Sequence, residues 1–402
     1  MRPFTSTISL EEARRSLDAS VKPITRTARV ALADAAGRVC AADVLSAIDV
    51  PPFARSAMDG YAVIAADTKG ATAASPASLR IIERVYTGAA PRGTIVPGTC
   101  AEIATGAPLP PGADAVVMVE ETAKNGDDRA AILAEAKAGQ NIGRRGGDIA
   151  AGDRIVDAGA LLTPSRVGAL AAVGLVDVDV FERPRVAVLS TGNEVVEAGR
   201  PLKAGQIYDV NRFTLSAVVA AHGGIAEAFH AAEDTVEALV RALDDCAGAD
   251  IIVFSGGSSV GERDLVVDAI AKRGKMLFHG IAVKPGKPTA FATVGGVPFF
   301  GMPGNPTSCL SNAYILLVPF LRATARLPPW LPRVVHARLG RTIAAQAGRH
   351  QFYAVRLENG VALPAFKGSG DITSLSRADG YIEIAATESV VQEGTDVSVT
   401  LF

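Results

Sequence analysis

The sequence predicts a multidomain protein in which a doubly wound α/β domain is combined with β-rich domains. Residues 185–323 alternate buried apolar strands with helices, the pattern of a parallel sheet covered by helices. Residues 51–148 are rich in Gly, Pro and short β-type runs, and a proline-rich break at 327–332 precedes strand-like sequence. A chain of 402 residues is long enough to form several such domains.

The N-terminal residues predict a helix followed by short strands. Ser9 and Glu12 have the spacing of a capping box, so a first helix is expected over residues 10–17. Short alternating strands are expected over residues 28–50, and the β-rich insert follows them.

A second helix is expected after the insert. Thr163 can cap it, Pro164 suits its first position and Gly174 can end it, while residues 176–181 alternate as a strand. These elements are expected to join the two ends of the insert to the next domain.

The α/β domain and the C-terminal region complete the predicted order of elements. The apolar runs of the α/β domain predict strands at 186–189, 251–254 and 297–300, and helices at 213–222, 236–246, 264–272 and 307–323. The strand-like residues 334–402 predict a small β-barrel or sandwich. The expected domains are a discontinuous linking domain (1–49 and 149–180), the insert (50–148), the α/β domain (181–326) and the C-terminal domain (327–402).

Charge and cysteine content exclude several classes of protein. With 40 basic and 42 acidic residues the net charge is -2, so no general attraction to nucleic acid or to a membrane surface is expected. The cysteines do not form a CxxC pair, which argues against a disulfide framework or a structural zinc site. The N-terminus lacks an apolar signal region and no run is long enough to cross a bilayer, so a cytoplasmic protein with reduced thiols is expected.

Three loops of the α/β domain follow predicted strands and point to an anion site. They begin at Ser190, Ser255 and Pro303, and in an open parallel sheet ligands bind beyond the carboxyl ends of the strands. Any one loop alone suits an ordinary turn, but the three together favour a site. Glycines allow positive φ and close backbone approach, as a nest of N–H groups around a phosphate requires; the loops supply Gly256, Gly257 and Gly304.

Charged side chains near these loops suit a metal ion and an oxyanion. Glu194, Asp209 and Asp264 could hold Mg²⁺ together with phosphate oxygens, although Asp264 also suits the N-cap of the following helix. Lys284 and Lys287 lie three residues apart on a stiff Pro- and Gly-containing segment, which suits neutralisation of a phosphate or another oxyanion. Residues 144–148 form a second basic, Gly-rich segment, for which the residues alone favour an exposed turn.

Other catalytic classes lack their sequence patterns. No GxxxxGK[ST] or GxGxxG motif occurs, the five histidines show no zinc-binding spacing, and no serine or cysteine lies in a nucleophile pattern. A metal-assisted phosphoanhydride reaction fits these residues better, because the protein then mainly positions groups and stabilises charge.

Three motifs are too particular to be explained by secondary structure. They are PPFARSAMDGYA at 51–62, SGGSSVGERD at 255–264 and MPGNP at 302–306, and they resemble the molybdopterin molybdenumtransferase family, which includes MoeA and gephyrin E-domain-like proteins. The resemblance extends over essentially the whole chain through the segments 104–108, 112–117, 139–142, 146–149, 190–194, 205–212, 284–288 and 368–370.

The resemblance implies a four-domain fold and a reaction. The domains are a molybdopterin-binding-like α/β domain, a β-rich insert, a linking α+β domain and a C-terminal β-barrel. The chain is expected to form an elongated homodimer whose active site lies between the α/β domain of one subunit and the insert of the other. The implied reaction converts adenylylated molybdopterin and molybdate, with Mg²⁺, into molybdenum cofactor and AMP. A molybdopterin adenylyltransferase and molybdoenzymes are further expected partners.

The resemblance also implies roles for individual residues. Catalysis is assigned to Asp59 and Thr105, acting across the dimer, and to Glu194 and Asp264, which also hold the metal. Substrate binding is assigned to Asp148, Asp234, Ser255, Gly256, Gly257, Lys284, Lys287, Pro303, Gly304, Asn305 and Pro306.

The chain departs from the family pattern at four positions. Ala54 stands where the family commonly has an acidic or polar residue, and Ala354 where an arginine is often found. Gly143 and Gly280 replace an arginine and a lysine that some members have. Different cations are therefore expected to hold molybdate here, and the candidates in the C-terminal domain are Arg349, Arg356 and Arg377. One alternative is a molybdopterin adenylyltransferase, which the full four-domain length disfavours. The other is a non-catalytic cofactor-binding scaffold, which the presence of Asp59, Glu194 and Asp264 disfavours.

Overall fold

The structure is a computed structural model that describes residues 7–402 except 127, 193, 231–234 and 257–264. Only the backbone is described for His230 and Leu265. The chain divides into two compact units, Arg29–Val180 and the combination of Met1–Ala28 with Phe181–Phe402.

The described residues contain helices in both units. They are α1 (Leu10–Asp18), α2 (Pro164–Ala172), α3 (Asn211–Ala221), α4 (Val236–Asp245), α5 (Leu265–Arg273), α6 (Pro306–Asn312), α7 (Val318–Thr324) and α8 (Thr373–Ser376).

The strands of the first half of the chain are mostly short. They are β1 (Thr27–Ala31), β2 (Val44–Leu45), β3 (Arg55–Ser56), β4 (Gly60–Val63), β5 (Ala77–Val85), β6 (Thr99–Ile103), β7 (Ala115–Met118), β8 (Thr122–Lys124), β9 (Arg129–Ile132), β10 (Ile142–Gly143), β11 (Arg154–Val156) and β12 (Asp177–Phe181).

The remaining strands belong to the α/β and C-terminal regions. They are β13 (Arg185–Ser190), β14 (Val195–Val196), β15 (Ile207–Tyr208), β16 (Ile225–His230), β17 (Ile251–Ser255), β18 (Gly274–His279), β19 (Val283–Lys284), β20 (Ala290–Val294), β21 (Val297–Met302), β22 (Val334–Leu339), β23 (Ile343–Ala344), β24 (His350–Glu358), β25 (Val361–Pro364), β26 (Gly380–Ile384), β27 (Val390–Val391) and β28 (Asp396–Leu401).

Both helices predicted in the N-terminal half are confirmed together with their caps. In α1, Ser9 Oγ accepts a hydrogen bond from the Glu12 backbone N–H at 3.1 Å, and the Ser9 backbone N–H donates to Glu12 Oε2 at 2.8 Å. In α2, Thr163 is the N-cap and Pro164 the first residue, and Gly174 follows the helix with a φ of +81°.

The unit Arg29–Val180 is built around a six-stranded sheet of order β7-β4-β6-β5-β9-β8. Apolar side chains form one core that includes Tyr61 and Leu79 and a second that includes Ala62 and Val85. Because successive residues of a strand face opposite sides of a sheet, adjacent Tyr61 and Ala62 place these cores on opposite faces. Helix α2 packs over a third core with Leu162 and Leu170.

The α/β domain contains a six-stranded sheet of order β16-β13-β17-β21-β20-β18. The first four strands are parallel, but β20 and β18 pair antiparallel, so the prediction of an entirely parallel sheet is wrong at this edge. Gly295 and Gly296, both with positive φ, connect β20 to β21. A two-residue Gly-Gly turn is typical of a hairpin, and this short-range signal overrides the crossover that a parallel pair needs.

Helices cover both faces of this sheet, as the predicted doubly wound fold requires. One core combines Val186, Leu215 and Leu321 from β13, α3 and α7, and the other combines Leu189, Leu243 and Ile270 from β13, α4 and α5. The fold class is therefore confirmed for this domain.

The long helix predicted over residues 307–323 contains a break in its α-helical hydrogen bonding. A π-helical turn, Ala313–Leu317, separates α6 from α7. Pro319 lies at the start of α7 and has no N–H to donate to the carbonyl four residues earlier, so the regular α-helical pattern cannot pass through this point.

The C-terminal strands close into a five-stranded barrel. Their order is β24-β25-β22-β28-β26, and β26 pairs back with β24, which decides between the predicted barrel and sandwich in favour of the barrel. Strand β19 of the α/β region joins the barrel by pairing in parallel with β24, where Lys284 lies opposite Gln351.

All four cysteines are buried free thiols. Burial raises the pKa of Cys100, Cys246 and Cys309 to about 12, so these thiols stay protonated. Within the described part of the chain, no helix has the length and apolar character needed to cross a membrane.

Candidate active site

The three predicted loops begin side by side at one edge of the central sheet. Strands β13, β17 and β21 are adjacent and parallel, with Ser190 opposite Ser255 and Ser255 opposite Met302. The carboxyl ends of these strands therefore meet, as the expected co-location of the loops requires.

A cavity of about 1120 Å³ opens at this edge. Its volume is slightly above the ~300–1,000 Å³ typical of small-molecule sites. The predicted site residues that line it are Glu194, Ser255, Gly256, Lys284, Lys287, Pro303, Gly304, Asn305 and Pro306. Asp234, Gly257 and Asp264 lie outside the described residues.

The backbone at Gly256 approaches a neighbouring loop closely. Its φ is +128°, and a Cβ built there would overlap the carbonyl oxygen of Thr191 and lie 3.1 Å from Thr191 Cγ2. Gly304 differs, because its φ is not positive and a Cβ built there would meet only Gly256 Cα, at 3.8 Å. The expectation of a glycine-specific backbone is therefore confirmed at Gly256 and wrong at Gly304.

Cations from two regions reach the cavity wall. Lys284 is the last residue of β19 and Lys287 lies on the loop that follows, and both are half-buried. Arg349 immediately precedes β24, the barrel strand that pairs with β19. The other two candidate arginines, Arg356 and Arg377, are not among the described residues that line the cavity. Arg356 pairs with Glu358 at 2.6 Å, and Arg377 is exposed after α8. Positive charge at the cavity suits an anionic ligand.

The described carboxylates near the loops differ in their surroundings. Glu194 is exposed and lines the cavity. Asp209 is only 7% exposed, and its Oδ1 accepts a hydrogen bond from the Arg212 backbone N–H at 2.9 Å. The Arg212 side chain lies 3.9 Å from Asp209 Oδ2 and also pairs with Glu197. These contacts fix Asp209 at the start of α3, and Asp209 also lines the cavity. No cluster of three metal-binding side chains is found within the described residues.

Asn211 is a site residue that sequence reasoning missed. It is 8% exposed, and its Nδ2 donates to Ser255 Oγ and to the Gly304 carbonyl, each at 2.7 Å. It thus joins the loops that follow β17 and β21. Asn211 Oδ1 and Ser190 Oγ are buried without a hydrogen-bond partner in the described structure, and both residues line the cavity. Buried polar atoms of this kind are available to a ligand or to water.

The C-terminal barrel supplies a further wall of the cavity. Asn305 Nδ2 donates to Ser369 Oγ at 2.9 Å, and the Thr307 backbone N–H donates to the Ser369 carbonyl at 3.1 Å. The Thr307 hydroxyl donates to the Asp371 carbonyl at 2.7 Å. The motif at 368–370 therefore lies against the start of α6.

In the unit Arg29–Val180, two predicted catalytic residues are brought together. The Thr105 backbone N–H donates to Asp59 Oδ1 at 2.8 Å, and both residues are exposed. The surrounding segments are also tied by backbone bonds, because the Gly106 N–H donates to the Ser56 carbonyl at 2.8 Å and the Ser56 N–H to the Ala107 carbonyl at 2.9 Å. The motif at 51–62 is thus held against the loop that carries Thr105.

Asp148 lies on a separate loop of the same unit. Its side chain is exposed, and its backbone N–H donates to the Val50 carbonyl at 3.0 Å. Asp49 fixes this loop by accepting from the Ala151 N–H at 2.9 Å and pairing with Arg145 at 2.6 Å. These two contacts hold the pKa of Asp49 below its usual range.

Comparison with known proteins identifies the family. Family models match residues 8–174 (MoeA N-terminal region, domain I and II), 187–323 (probable molybdopterin binding domain) and 336–402 (MoeA C-terminal region, domain IV). Molybdopterin molybdenumtransferase 2 of Mycobacterium tuberculosis is 38% identical over 389 residues, 94% of this chain and 95% of the relative. This chain belongs to the molybdopterin molybdenumtransferase family.

Other members of the molybdopterin molybdenumtransferase family match over nearly their full lengths. The Haemophilus influenzae protein of that name is 32% identical, with 98% of each chain covered. Two crystal structures of molybdopterin biosynthesis MoeA proteins from Pyrococcus horikoshii have TM-scores of 0.86 and 0.80 at 39% and 30% identity. They cover 98% and 99% of this chain. The family and fold class predicted from the motifs are confirmed, and the alternative based on the α/β domain alone is not favoured.

Proposed function

We propose that this protein transfers molybdenum from molybdate to adenylylated molybdopterin and releases AMP. The observation that carries the proposal is the cavity at the carboxyl ends of β13, β17 and β21, where Lys284, Lys287 and Arg349 face the same space as Glu194. Such a cavity can bind an anionic substrate and still offer a carboxylate to a metal ion.

The cationic side chains would bind and orient the oxyanions. Lys284 and Lys287 present ammonium groups from a short, proline-containing loop, and Arg349 adds a planar guanidinium from the barrel. The close packing of Gly256 against Thr191 keeps the loop after β17 near the strand ends. In the proposed reaction one water hydrolyses the phosphoanhydride bond to AMP and the molybdopterin phosphate. The two dithiolene sulfurs then displace one oxygen of molybdate, which leaves with the two thiol protons as water, so molybdenum is bound without a change of oxidation state.

The residues present fit Mg²⁺ as the metal of the reaction. Magnesium keeps several waters and is usually bound by one or two carboxylates together with substrate phosphates, so a cluster of three protein ligands is not required. Glu194, exposed in the cavity wall, can supply one carboxylate, and Asp264 is proposed to supply the second. When bound, Mg²⁺ would stabilise negative charge that develops on the phosphoanhydride oxygens.

We extend the proposal to a homodimer with shared active sites. Asp59, Thr105 and Asp148 would act from the insert of one subunit on substrate held by Ser255, Lys284, Asn305 and the other cavity residues of its partner. The exposure of Asp59 and Thr105, and their direct hydrogen bond, support a role at such an interface. A cytoplasmic location, where thiols stay reduced, and transfer of the product to molybdoenzymes are parts of the same proposal.

The function is tested by reconstitution of a molybdoenzyme that lacks its cofactor. Purified protein with adenylylated molybdopterin, molybdate and Mg²⁺ should restore activity, whereas Lys287→Ala should restore about tenfold less because a charge-assisted contact to the anion is lost. Lys275→Ala, which removes an exposed lysine of β18, is the matched control and should behave as wild type. Tight binding of the substrate without any reconstitution would favour a scaffold instead.

A further inference from the structure

The loop that carries Lys284 and Lys287 rests on a buried amide. Asn312, the last residue of α6, is 0% exposed, and its Nδ2 donates to the Gly286 carbonyl at 2.9 Å and to Thr289 Oγ1. Thr289, also 0% exposed, donates its hydroxyl to the same Gly286 carbonyl at 2.9 Å. The two amide hydrogens and the hydroxyl hydrogen can all be used within this network.

The backbone of the loop lies directly on this amide. Gly286 has a φ of +101°, and a Cβ built there would overlap the Asn312 side chain. The ends of the loop are fixed by backbone contacts instead, because Lys284 pairs with Gln351 of β24 and the Ile281 N–H donates to the Lys287 carbonyl at 2.9 Å. Asn312 therefore holds the middle of the loop, between the two lysines.

Asn312 adjoins apolar residues. The adjacent Ala313 and the nearby Cys309 belong to a hydrophobic core, where burying an amide is unfavourable unless its hydrogen bonds are made. Its Nδ2 makes the two bonds to the loop, whereas its Oδ1 is buried without a hydrogen-bond partner in the described structure. Helix α6 also begins at Pro306, at the end of the cavity loop, and a π-helical turn begins immediately after Asn312. Such turns are often found at functional sites.

We propose that Asn312 is a positioning residue that holds Lys284 and Lys287 where they bind a tetrahedral oxyanion. Asn312 is not among the described residues that line the cavity, so it acts through the loop and not on the ligand. The inference rests on the proposed function, in which these lysines bind either molybdate or the phosphate of the nucleotide.

Equilibrium binding of the full-length protein to molybdate and, separately, to AMP tests this role. Asn312→Leu removes both donors at similar size, Asn312→Asp replaces them by acceptors, and Thr289→Val disrupts the network from its other side. The lysines are expected to hold one of these two oxyanions. Each of the three substitutions should weaken the binding of that oxyanion about tenfold, which is the effect of losing one or two buried hydrogen bonds. In turnover with molybdate varied, KM should rise while kcat at saturation stays near wild type.

Thr324→Val is the matched control. Thr324 is also buried, 3% exposed, but its hydroxyl donates to the Phe320 carbonyl of its own helix at 2.9 Å. It should lower the melting temperature without changing anion affinity. Wild-type affinity in folded Asn312→Leu and Thr289→Val, with weakened binding in Lys287→Ala, would overturn the inference and leave the proposed function intact. If wild type binds neither anion, or Lys287→Ala binds normally, the proposed anion site is itself wrong and the inference falls with it.

Discussion

At the scale of single residues, the proposed function assigns a catalytic role to Asp59 of the insert, and this role can be tested. Asp59 holds the backbone N–H of Thr105 at 2.8 Å, so the orientation of its carboxylate is set by the neighbouring loop. The second oxygen of the carboxylate is the one that a substrate can approach, because no described hydrogen bond engages it.

Asp59→Asn should separate charge from geometry. The amide oxygen can still accept from Thr105, so folding stability should change by less than about 0.5 kcal/mol, as for other surface substitutions. AMP release should fall about 100-fold if the charge acts on the transition state. Asp153→Asn is the control, because Asp153 is also exposed and accepts a backbone N–H, that of Ala150 at 2.7 Å. Wild-type turnover by Asp59→Asn would contradict the catalytic assignment.

Gly256→Ala should damage both stability and activity. The new Cβ would meet the Thr191 carbonyl at a φ of +128°, so unfolding should become easier by ~1–3 kcal/mol and AMP release should fall with it. Gly394→Ala provides the comparison, because Gly394 has a φ of +83° but open space around its Cβ. Urea denaturation and AMP release measured on both variants check the prediction. If Gly256→Ala and Gly394→Ala lowered AMP release equally, the contact with Thr191 would be unimportant for activity.

Among the secondary-structure elements, the order of strands explains the site. Neighbouring parallel strands β13, β17 and β21 place three loops together, and the pairing of β19 with β24 brings Arg349 beside the lysine loop. The first arrangement could be predicted, since buried runs alternating with helices imply a parallel sheet. The second could not, because a two-residue strand carries no periodicity and its partner lies more than 60 residues away along the chain.

The same limit explains which site residues the sequence revealed. Ser255, Lys284 and Asn305 lie in recognisable motifs directly after strands or on a stiff loop. Asn211 is the first residue of α3 and Asn312 the last residue of α6, and an exposed and a buried asparagine look alike in one sequence. Their importance depends on tertiary contacts to Gly304 and Gly286, which helical spacing does not encode.

The contribution of the loop near Asp148 to folding stability should depend on pH through the ionisation of Asp49. The bonds from Ala151 and Arg145 lower the pKa of Asp49 in the folded protein below its unfolded value, so their stabilisation is present above the unfolded pKa. It is lost as the pH falls through the folded value. The stability difference between wild type and Asp49→Asn should therefore be constant from about pH 7 to pH 5 and shrink below about pH 4.

Urea denaturation of both proteins at several pH values measures this difference. Arg145→Ala should reduce the pH dependence in part, because the bond from the Ala151 N–H remains. A stability difference that grows as the pH falls would contradict a lowered pKa for Asp49 in the folded protein.

For the molecule as a whole, the proposed function requires two chains per active site. Light scattering should give twice the 41.4 kDa mass of the chain. Asp59→Asn lies in the insert and Lys287→Ala in the α/β domain, so each variant alone should lose most of its activity. Co-expressed, they should form heterodimers with one intact site, and a random mixture should recover about a quarter of wild-type activity. A monomer, or no recovery in verified heterodimers, would contradict the shared site.

The proposed reaction is tested most simply by AMP release from adenylylated molybdopterin with Mg²⁺, measured with and without molybdate. We expect release that depends on molybdate and that falls with Glu194→Gln and Lys287→Ala. Binding of the substrate with no release of AMP under any condition would contradict the proposal, and would show that the cavity holds the cofactor precursor without acting on it.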